Sequence, residues 1–429
     1  MSDQVSSRVI EDSIKQPDTE VVDIRPTAAY NGWSLQGEPR GGHIPGALSF
    51  PGQWLADLET DQVLALLSEK AIIPEKQIIL TGYEDTAARA ASTVLKRLGY
   101  SNVKVDAEGM LAWSHDASKP MEHLARFEHL VHPDWLNDLL HGKKPDHYTN
   151  DRFVLAHVNF DNWGDYDQGH IPGAVWLDTL ELEEEDHWNR RTPDELHEAM
   201  RELGITADTT VVLYGRTANP DMSQEHPGKQ AGQLAAMRAA LLLLYTGVND
   251  VRVLDGGLDS WLAAGYSTTR EETEPTPVDE FGATIPSHPE YVVDTPQAKI
   301  MLENSQAELV SVRSWPEFLG DVSGYHYVGP KGRIPGAVFG NCGTDAYHME
   351  NYRNYDDTMR NYHEIAEIWR QNGITSDKHI AFYCGTGWRA SEAFFSAWLM
   401  GWPRVSIYDG GWYEWSRDPD NPRAVGAPE

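Results

Sequence analysis

The sequence predicts an α/β protein built from three copies of one unit, each a mainly parallel sheet with helices on both faces. The first observation is a motif, Ile-Pro-Gly-Ala, that recurs within residues 41–48, 168–175 and 331–338. The second is a short β-branched run before each motif, at residues 20–25, 152–158 and 308–313. Because these runs are apolar and separated by helix-length segments, they indicate parallel strands joined by crossover helices.

Two further strand candidates follow the motif in each copy, with a helical stretch between them. The first set lies at residues 76–82, 209–215 and 378–384. The second set runs into a small-residue turn and a tryptophan, at residues 103–113, 251–261 and 405–415. We therefore expect three domains, at residues 1–124, 125–285 and 286–429. The second boundary falls at residues 270–290, where the composition is rich in Pro and Glu and typical of a linker.

Length and charge limit the classes of function. A chain of 429 residues is too long for one ordinary core, which agrees with several domains. The net charge of −31 would repel nucleic acid and anionic lipid, so we expect binding to neither. The most apolar stretch, residues 234–248, is interrupted by Arg238 and is too short to span a bilayer. The N-terminus has no apolar signal core, so we expect a soluble cytoplasmic protein, or a periplasmic one if a leader was removed.

Reactive sulfur is available only in the third copy. The two cysteines, Cys342 and Cys384, are too few for a disulfide framework. Cys384 ends the 378–384 run, and the matching positions hold Gly215 in the second copy and Thr81 or Gly82 in the first. The first two copies are therefore predicted to serve as scaffold, cleft wall or interface.

The position of Cys384 favours a functional thiol over an ordinary buried one. Open α/β sheets bind ligands beyond the carboxyl ends of their strands, which is where this residue falls. The glycines of the next three residues permit close backbone approach, and a helix is predicted from about Ala390. Inward-facing amides, the helix N-terminus and Arg389 would together stabilise a thiolate.

The motifs together resemble those of the rhodanese (sulfurtransferase) family. They are D/S-x-R, G-H/R-I-P-G-A, Y-C-G-T-G-W-R-A-S and D-G-G-W-x-x-W. The chain is similar over essentially its whole length to bacterial members with three rhodanese-like domains and one active cysteine in a CGTGWR loop. The resemblance implies that Cys384 takes a sulfane sulfur from thiosulfate as a persulfide and passes it to cyanide or a thiol. No cofactor is expected. The implied substrate-binding residues are Gly385, Thr386, Gly387, Trp388, Arg389 and Arg313.

Departures from the family pattern leave the donor open. The loop contains Trp388 and small residues where thiosulfate-preferring members often have basic ones. Glu317 stands where two-domain thiosulfate enzymes tend to have a second arginine, and Ser311 replaces the Asp that usually precedes Arg313 in the D-x-R motif. Mercaptopyruvate sulfurtransferase, or a persulfide carrier fed by a cysteine desulfurase, are therefore alternatives. The expected partners are a small-molecule sulfur donor and a protein that donates or accepts sulfur.

A phosphatase of the same fold is a third class to weigh. Such enzymes have a loop of the pattern C-x5-R, whereas Cys384 and Arg389 are spaced as C-x4-R. The loop with one residue fewer encloses a smaller ring of amides, of a size closer to one sulfur atom than to a phosphate group. The spacing therefore favours sulfur transfer.

Four remaining features have ordinary explanations. Cys342 is predicted to be a structural or incidental thiol, with a resolving cysteine as the alternative. Residues 216–232 form a polar surface excursion or a loop that reaches over a neighbouring cleft. The acidic run at 183–186 is expected to be solvated. The histidines show no ligand spacing, so no metal site is predicted.

Overall fold

The computed structural model describes residues 3–14, 16–217 and 227–428, and these residues contain three five-stranded sheets. All three sheets have the same strand order, in which the first, fifth, fourth, second and third strands of the copy lie side by side. All the strand pairs in these sheets are parallel. The predicted fold class is confirmed. The chain divides into two compact units, Met1–Glu128 with one sheet and His129–Glu429 with two.

The first unit consists of one copy. Its strands are β1 (Gln4–Val5), β2 (Thr19–Asp23), β3 (Leu48–Ser49), β4 (Gln77–Thr81) and β5 (Val103–Asp106). Its helices are α1 (Ser7–Ser13), α2 (Thr27–Asn31), α3 (Trp54–Asp57), α4 (Thr60–Glu69), α5 (Asp85–Arg97) and α6 (Gly109–His115). The sheet has an apolar core on each face, one around Ile78 and Leu80 and the other around Ile79 and Trp113.

The second copy begins the second unit. Its strands are β6 (Leu130–Val131), β7 (Phe153–Asn159), β8 (Val175–Asp178), β9 (Thr210–Tyr214) and β10 (Asp250–Leu254). Its helices are α7 (Pro133–Leu140), α8 (Trp163–Asp167), α9 (Pro193–Glu202), α10 (Gly232–Thr246) and α11 (Gly257–Ala263). All residues of β9 are buried, as expected of a central parallel strand covered on both faces.

The third copy completes the second unit. Its strands are β11 (Val292–Val293), β12 (Ala307–Ser311), β13 (Val338–Phe339), β14 (His379–Tyr383) and β15 (Val405–Tyr408). Its helices are α12 (Thr295–Leu302), α13 (Trp315–Leu319), α14 (Tyr362–Gln371), α15 (Trp388–Leu399) and α16 (Gly411–Arg417). The central strand is β14, and it leads directly into the segment with Cys384.

Two buried helices join the second and third copies. Helix α10 packs against helix α15, and every residue of both helices is buried. A helix that is apolar around its whole circumference is typical of such a position. Among the described residues, no helix combines the length and apolarity needed to cross a bilayer. The domain limits expected at 1–124, 125–285 and 286–429 stay a prediction.

Candidate active site

Cys384 lies between strand β14 and helix α15, at the carboxyl edge of the third sheet. Its side chain is fully buried. Helix α15 begins at Trp388, two residues earlier than expected, because Gly387 adopts the left-handed φ of 98° and ends the loop sharply. The amide of Gly387 donates a hydrogen bond to Cys384 Sγ over 3.2 Å. The loop therefore holds the sulfur atom against the first turn of a helix.

The DGGW motif fixes the carbonyl groups of this loop. The amide of Trp412 donates to the carbonyl of Cys384 over 2.8 Å, and the amide of Tyr413 donates to that of Gly385 over 3.0 Å. A Cβ on Gly411 would lie 2.6 Å from the Gly385 carbonyl oxygen, so only glycine fits there. The motif that marks the fold thus also positions the sulfur loop.

Arg389 is buried and paired with a carboxylate. Its Nη1 and Nη2 donate to the two oxygens of Glu317 over 2.9 and 3.0 Å. Glu317 is positioned by a capping box with Ser314 at the start of helix α13. Burial favours its neutral form, but the guanidiniums of Arg389 and Arg313 outweigh burial and lower the pKa of Glu317 to about 2. The sequence indicated no acid in the loop, and this acid comes from another element.

Arg313 contacts the chain before the Ile-Pro-Gly-Ala motif. Its side chain is fully buried and donates to the carbonyls of Gly332 and Ser323 over 2.7 and 3.0 Å. It also donates to Glu317 over 3.2 Å. These are contacts of a residue that braces the chain, and the implied part of Arg313 in substrate binding stays a prediction.

A pocket of about 450 Å³, counting its open mouth, lies beside the loop. Thr386 and Arg389 contribute to its lining. Its aromatic walls are formed by Phe160, Trp188, Tyr325, Tyr327, Tyr347 and Trp388. The first two belong to the second copy and the other four to the third. The second copy therefore supplies part of a cleft wall.

Tyr325 packs directly on the cysteine loop. A Cβ on Gly385 would lie 2.1 Å from the Tyr325 ring, so glycine is needed for this contact. The Tyr325 hydroxyl donates to the carbonyl of Ala346 and accepts from Arg389 Nη2, both over 3.1 Å. Burial raises the pKa of Tyr325 well above its ordinary value, so the hydroxyl keeps its proton.

Cys342 also lies beside Arg389. Its Sγ is 3.4 Å from Arg389 Nη1, and its side chain is fully buried. Burial raises the pKa of Cys342 to about 12, so this cysteine is a thiol at neutral pH. Its role as a structural or a resolving cysteine stays a prediction.

One expectation from the sequence is wrong. Glu183, the first residue of the acidic run at 183–186, is fully buried rather than solvated. It pairs with Arg238, which lies 55 residues further along the chain, and accepts from Trp388 Nε1 over 2.9 Å. Glu185 and Asp186 are exposed, as expected.

The aromatic walls of the pocket were not predictable from the sequence. Tyr325, Tyr327 and Tyr347 lie in the long segment between α13 and α14, and no periodic pattern marks them. The segment at 216–232 falls partly outside the described residues, at 218–226. Two residues from its described end, Gly228 and Ala231, line the pocket.

Fold and site together define a class of protein. Three parallel sheets of one topology, with a cysteine loop after the central strand of the third, are the features expected of tandem rhodanese domains. A family model described as Rhodanese-like domain matches residues 6–116, 132–264 and 294–418. The chain belongs to the rhodanese family and is a sulfurtransferase.

Individual relatives have the same three-domain length. Thiosulfate sulfurtransferase YnjE of Escherichia coli (strain K12) is 39% identical over 423 residues, which cover 97% of this chain and 91% of the relative. An anaerobic ergothioneine biosynthesis enzyme from Chlorobium limicola, solved with its natural substrate trimethyl histidine, is 48% identical. The similarity covers 100% of both chains with a TM-score of 0.97.

Structures of EanB are similar at the same level. In one, a threonine is replaced by valine and hercynine is bound; it is 48% identical with a TM-score of 0.97, over 100% of this chain and 99% of that one. In another, a tyrosine is replaced by phenylalanine and a cysteine persulfide is in a tetrahedral intermediate state with ergothioneine. That chain is 49% identical with a TM-score of 0.97, over 99% of this chain and 100% of its own. Thiosulfate as the donor is not confirmed by these similarities.

Proposed function

We propose that this chain transfers a sulfane sulfur from a Cys384 persulfide to the imidazole ring of trimethylhistidine (hercynine), which gives ergothioneine. The observation that carries the proposal is the aromatic pocket beside the cysteine loop. Arg389, the one cation among the described residues that line this pocket, is neutralised by Glu317. The pocket is therefore suited to a ligand with a cationic, apolar group.

The arrangement of the rings suits a trimethylammonium group. Such a group has no N–H to donate, so proteins bind it against aromatic faces. The rings of Trp188 and Tyr327 lie 4.8 Å apart, and those of Tyr325 and Tyr327 lie 5.2 Å apart. Tyr347 meets Tyr325 edge-on, with an interplanar angle of 89°. The pocket thus offers aromatic surfaces in several orientations.

Thiosulfate fits this pocket poorly. A dianion would need an uncompensated cation, but Arg389 and Arg313 both bind Glu317. Glu317 compensates one of the two guanidiniums, so the pair offers a dianion only one net positive charge, on groups whose N–H donors already bind carbonyl oxygens. We propose that a sulfane donor only restores the Cys384 persulfide, while the pocket selects the acceptor.

Sequence spacing supports the assignment of roles. In EanB, the altered threonine follows the persulfide cysteine by the same number of residues as Thr386 follows Cys384. The altered tyrosine precedes that cysteine by the same number of residues as Tyr325 precedes Cys384. We propose that Tyr325 and Thr386 supply hydroxyl groups next to the bound acceptor.

The transfer balances without an added oxidant or reductant. The proton on imidazole C2 passes to solvent, and C2 forms a bond to the terminal sulfur of the persulfide. The sulfur–sulfur bond breaks, and its electron pair returns to Cys384 as a thiolate. The amide of Gly387, 3.2 Å from Sγ, stabilises the charge that develops there. A sulfane donor then restores the persulfide.

Anaerobic incubation with trimethylhistidine and polysulfide tests the proposal, with ergothioneine measured by liquid chromatography and mass spectrometry. We expect product from the native chain and none from Cys384→Ser. Cys342→Ala is the matched control, and it should still gain one sulfur atom on Cys384. If a persulfide forms on Cys384 and no ergothioneine is produced, the proposal fails.

A second candidate is transfer from thiosulfate to cyanide or a thiol, which the 39% identical relative favours. Fast turnover with thiosulfate and cyanide, without transfer to trimethylhistidine, would establish it instead. In the same assay, formation of the Cys384 persulfide from mercaptopyruvate, or from a persulfide bound to a cysteine desulfurase, would identify the sulfur donor.

A further inference from the structure

Arg238 is the one charged residue of helix α10, and it is buried. It lies in helix α10, it interrupts the most apolar stretch of the sequence, and its side chain is fully buried. Its Nε donates to Glu183 over 2.9 Å, and its Nη2 forms an ion pair with Asp409 at 2.8 Å. Replacing a buried ion pair by apolar side chains often leaves stability unchanged or higher, so stability alone does not explain this one.

The pair between Arg238 and Glu183 reaches two walls of the pocket. Glu183 accepts from the indole Nε1 of Trp388 over 2.9 and 3.1 Å. Arg238 Nη2 donates to the carbonyl of Trp188 over 2.7 Å. One ion pair of the second copy therefore holds both indole walls, one from each copy.

The same guanidinium lies behind the cysteine loop. Arg238 Nη1 has no hydrogen-bond partner among the described residues. A Cβ on Gly387 would lie 3.0 Å from this nitrogen, so the guanidinium packs against the Gly387 backbone. Gly387 is the residue whose amide binds Cys384 Sγ. The guanidinium of Arg238 therefore packs against the same residue whose amide binds the sulfur atom of Cys384.

We propose that Arg238 and Glu183 are positioning residues of the sulfur-transfer site, through which the second copy sets the affinity for the acceptor. They hold Trp188, Trp388 and Gly387 at fixed positions, and neither is among the residues that line the pocket. The identity of the acceptor rests on the function proposed above, whereas the positioning role does not.

A double variant, Arg238→Met with Glu183→Gln, removes the pair without leaving one charge unpaired. Asp409 keeps Arg190, whose backbone amide and Nη1 lie 2.9 and 3.1 Å from its Oδ2. The variant is made in a Cys384→Ser background, and binding of trimethylhistidine is measured by calorimetry. Thermal unfolding is recorded alongside.

The matched control removes a buried ion pair that belongs to the third copy, by Arg353→Met with Glu392→Gln. Those side chains are joined at 2.7 and 2.5 Å, and neither lines the aromatic pocket. We expect the Arg238 double variant to weaken acceptor binding about tenfold or more, and the control to leave it unchanged at a similar melting temperature. Equal affinity in both variants would overturn the proposal.

Arg238→Lys distinguishes a positioning role from a purely structural one, because it should change acceptor affinity without changing stability. Lysine keeps the charge beside Glu183 and Asp409, but one nitrogen cannot also reach Trp188. We expect native stability with weakened acceptor binding; native affinity would count against the positioning role. If the native site binds no trimethylhistidine, the proposed function fails. The readout is then the rate of persulfide formation on Cys384, measured in the same variants made with Cys384 retained. Slower formation in the Arg238 double variant than in the control then supports positioning, and equal rates reject it.

Discussion

The loops after the central strands of the second and third copies share one anchoring contact, but they differ in length and in the residue with which they begin. In both, the last helix of the copy donates an amide to the loop: Leu258 to the carbonyl of Gly215, and Trp412 to that of Cys384, each over 2.8 Å. The space around the two positions is not the same. A Cβ on Gly215 would lie 2.1 Å from the backbone of Gly232, so no side chain fits there. One scaffold thus excludes a thiol in one copy and presents it in the next.

A carboxylate lies near each of the two loops and binds an arginine. Asp165 in helix α8 binds His157 at 2.9 Å and Arg216 at 2.6 Å. Glu317, at the same position of helix α13, binds arginine too. The partner of Asp165 comes immediately after Gly215, whereas Arg389 lies within α15. Moving the arginine into the helix leaves the third loop with small residues around the sulfur.

The largest effect is expected from moving the thiol between the two loops. Cys384→Ser should abolish sulfur transfer, because no other described cysteine lies in the sulfur loop. Gly215→Cys with Cys384→Ser should not restore it, because the Gly232 backbone occupies the space. Persulfide formation is followed by mass spectrometry. A persulfide on the introduced cysteine would contradict this prediction, because it would show that the second loop has room for a reactive thiol.

The sequence predicts what repeats, and misses what joins the copies. The strands, the cysteine loop and the DGGW turn were predictable because each occurs three times or depends on neighbouring residues. The burial of Glu183 was not, because it depends on Arg238 and Trp388, which lie far along the chain. The aromatic walls of the pocket were not predictable either, because they come from two different copies and follow no repeated motif.

The second largest effect is expected on breaking the third copy's carboxylate pair. Glu317→Gln leaves Arg389 and Arg313 without their carboxylate in a fully buried position, at a cost of about 3–5 kcal/mol. Asp165→Asn should cost less, because its partner Arg216 is 31% exposed. Urea unfolding of both variants measures the difference. Equal losses of unfolding free energy would mean that the two carboxylates stabilise the fold to the same extent.

The aspartates that begin the two DGG turns have opposite pKa shifts. Burial raises the pKa of Asp255 to about 7, and nearby Asp356 adds to the effect. Asp409 is equally buried, but the guanidiniums of Arg238 and Arg190 outweigh burial and lower its pKa. The same motif position therefore carries a proton in one copy near neutral pH and a charge in the other.

This difference predicts a pH effect on stability. Asp255 binds its proton more tightly folded than unfolded, so its contribution is complete below about pH 4 and is lost as pH rises through about 7. Asp255→Asn should reduce the loss of unfolding free energy between pH 5 and pH 8 by on the order of 3 kcal/mol. Urea unfolding at both pH values measures it. An unchanged pH dependence would contradict the raised pKa.

The smallest effect is expected from one hydroxyl group in each copy. Tyr325→Phe keeps the ring on Gly385 but removes the group that Arg389 and the proposed acceptor contact. We expect kcat to fall about tenfold, or about 1.4 kcal/mol, with little change in KM, because the aromatic wall remains. Tyr166→Phe in the second copy removes a hydroxyl that donates to the Ala174 carbonyl over 2.8 Å, and it should leave kcat unchanged. Equal effects of the two variants on kcat would mean that Tyr325 acts only through packing. A rise in KM alone would mean that the Tyr325 hydroxyl binds the acceptor and takes no part in the transfer of sulfur.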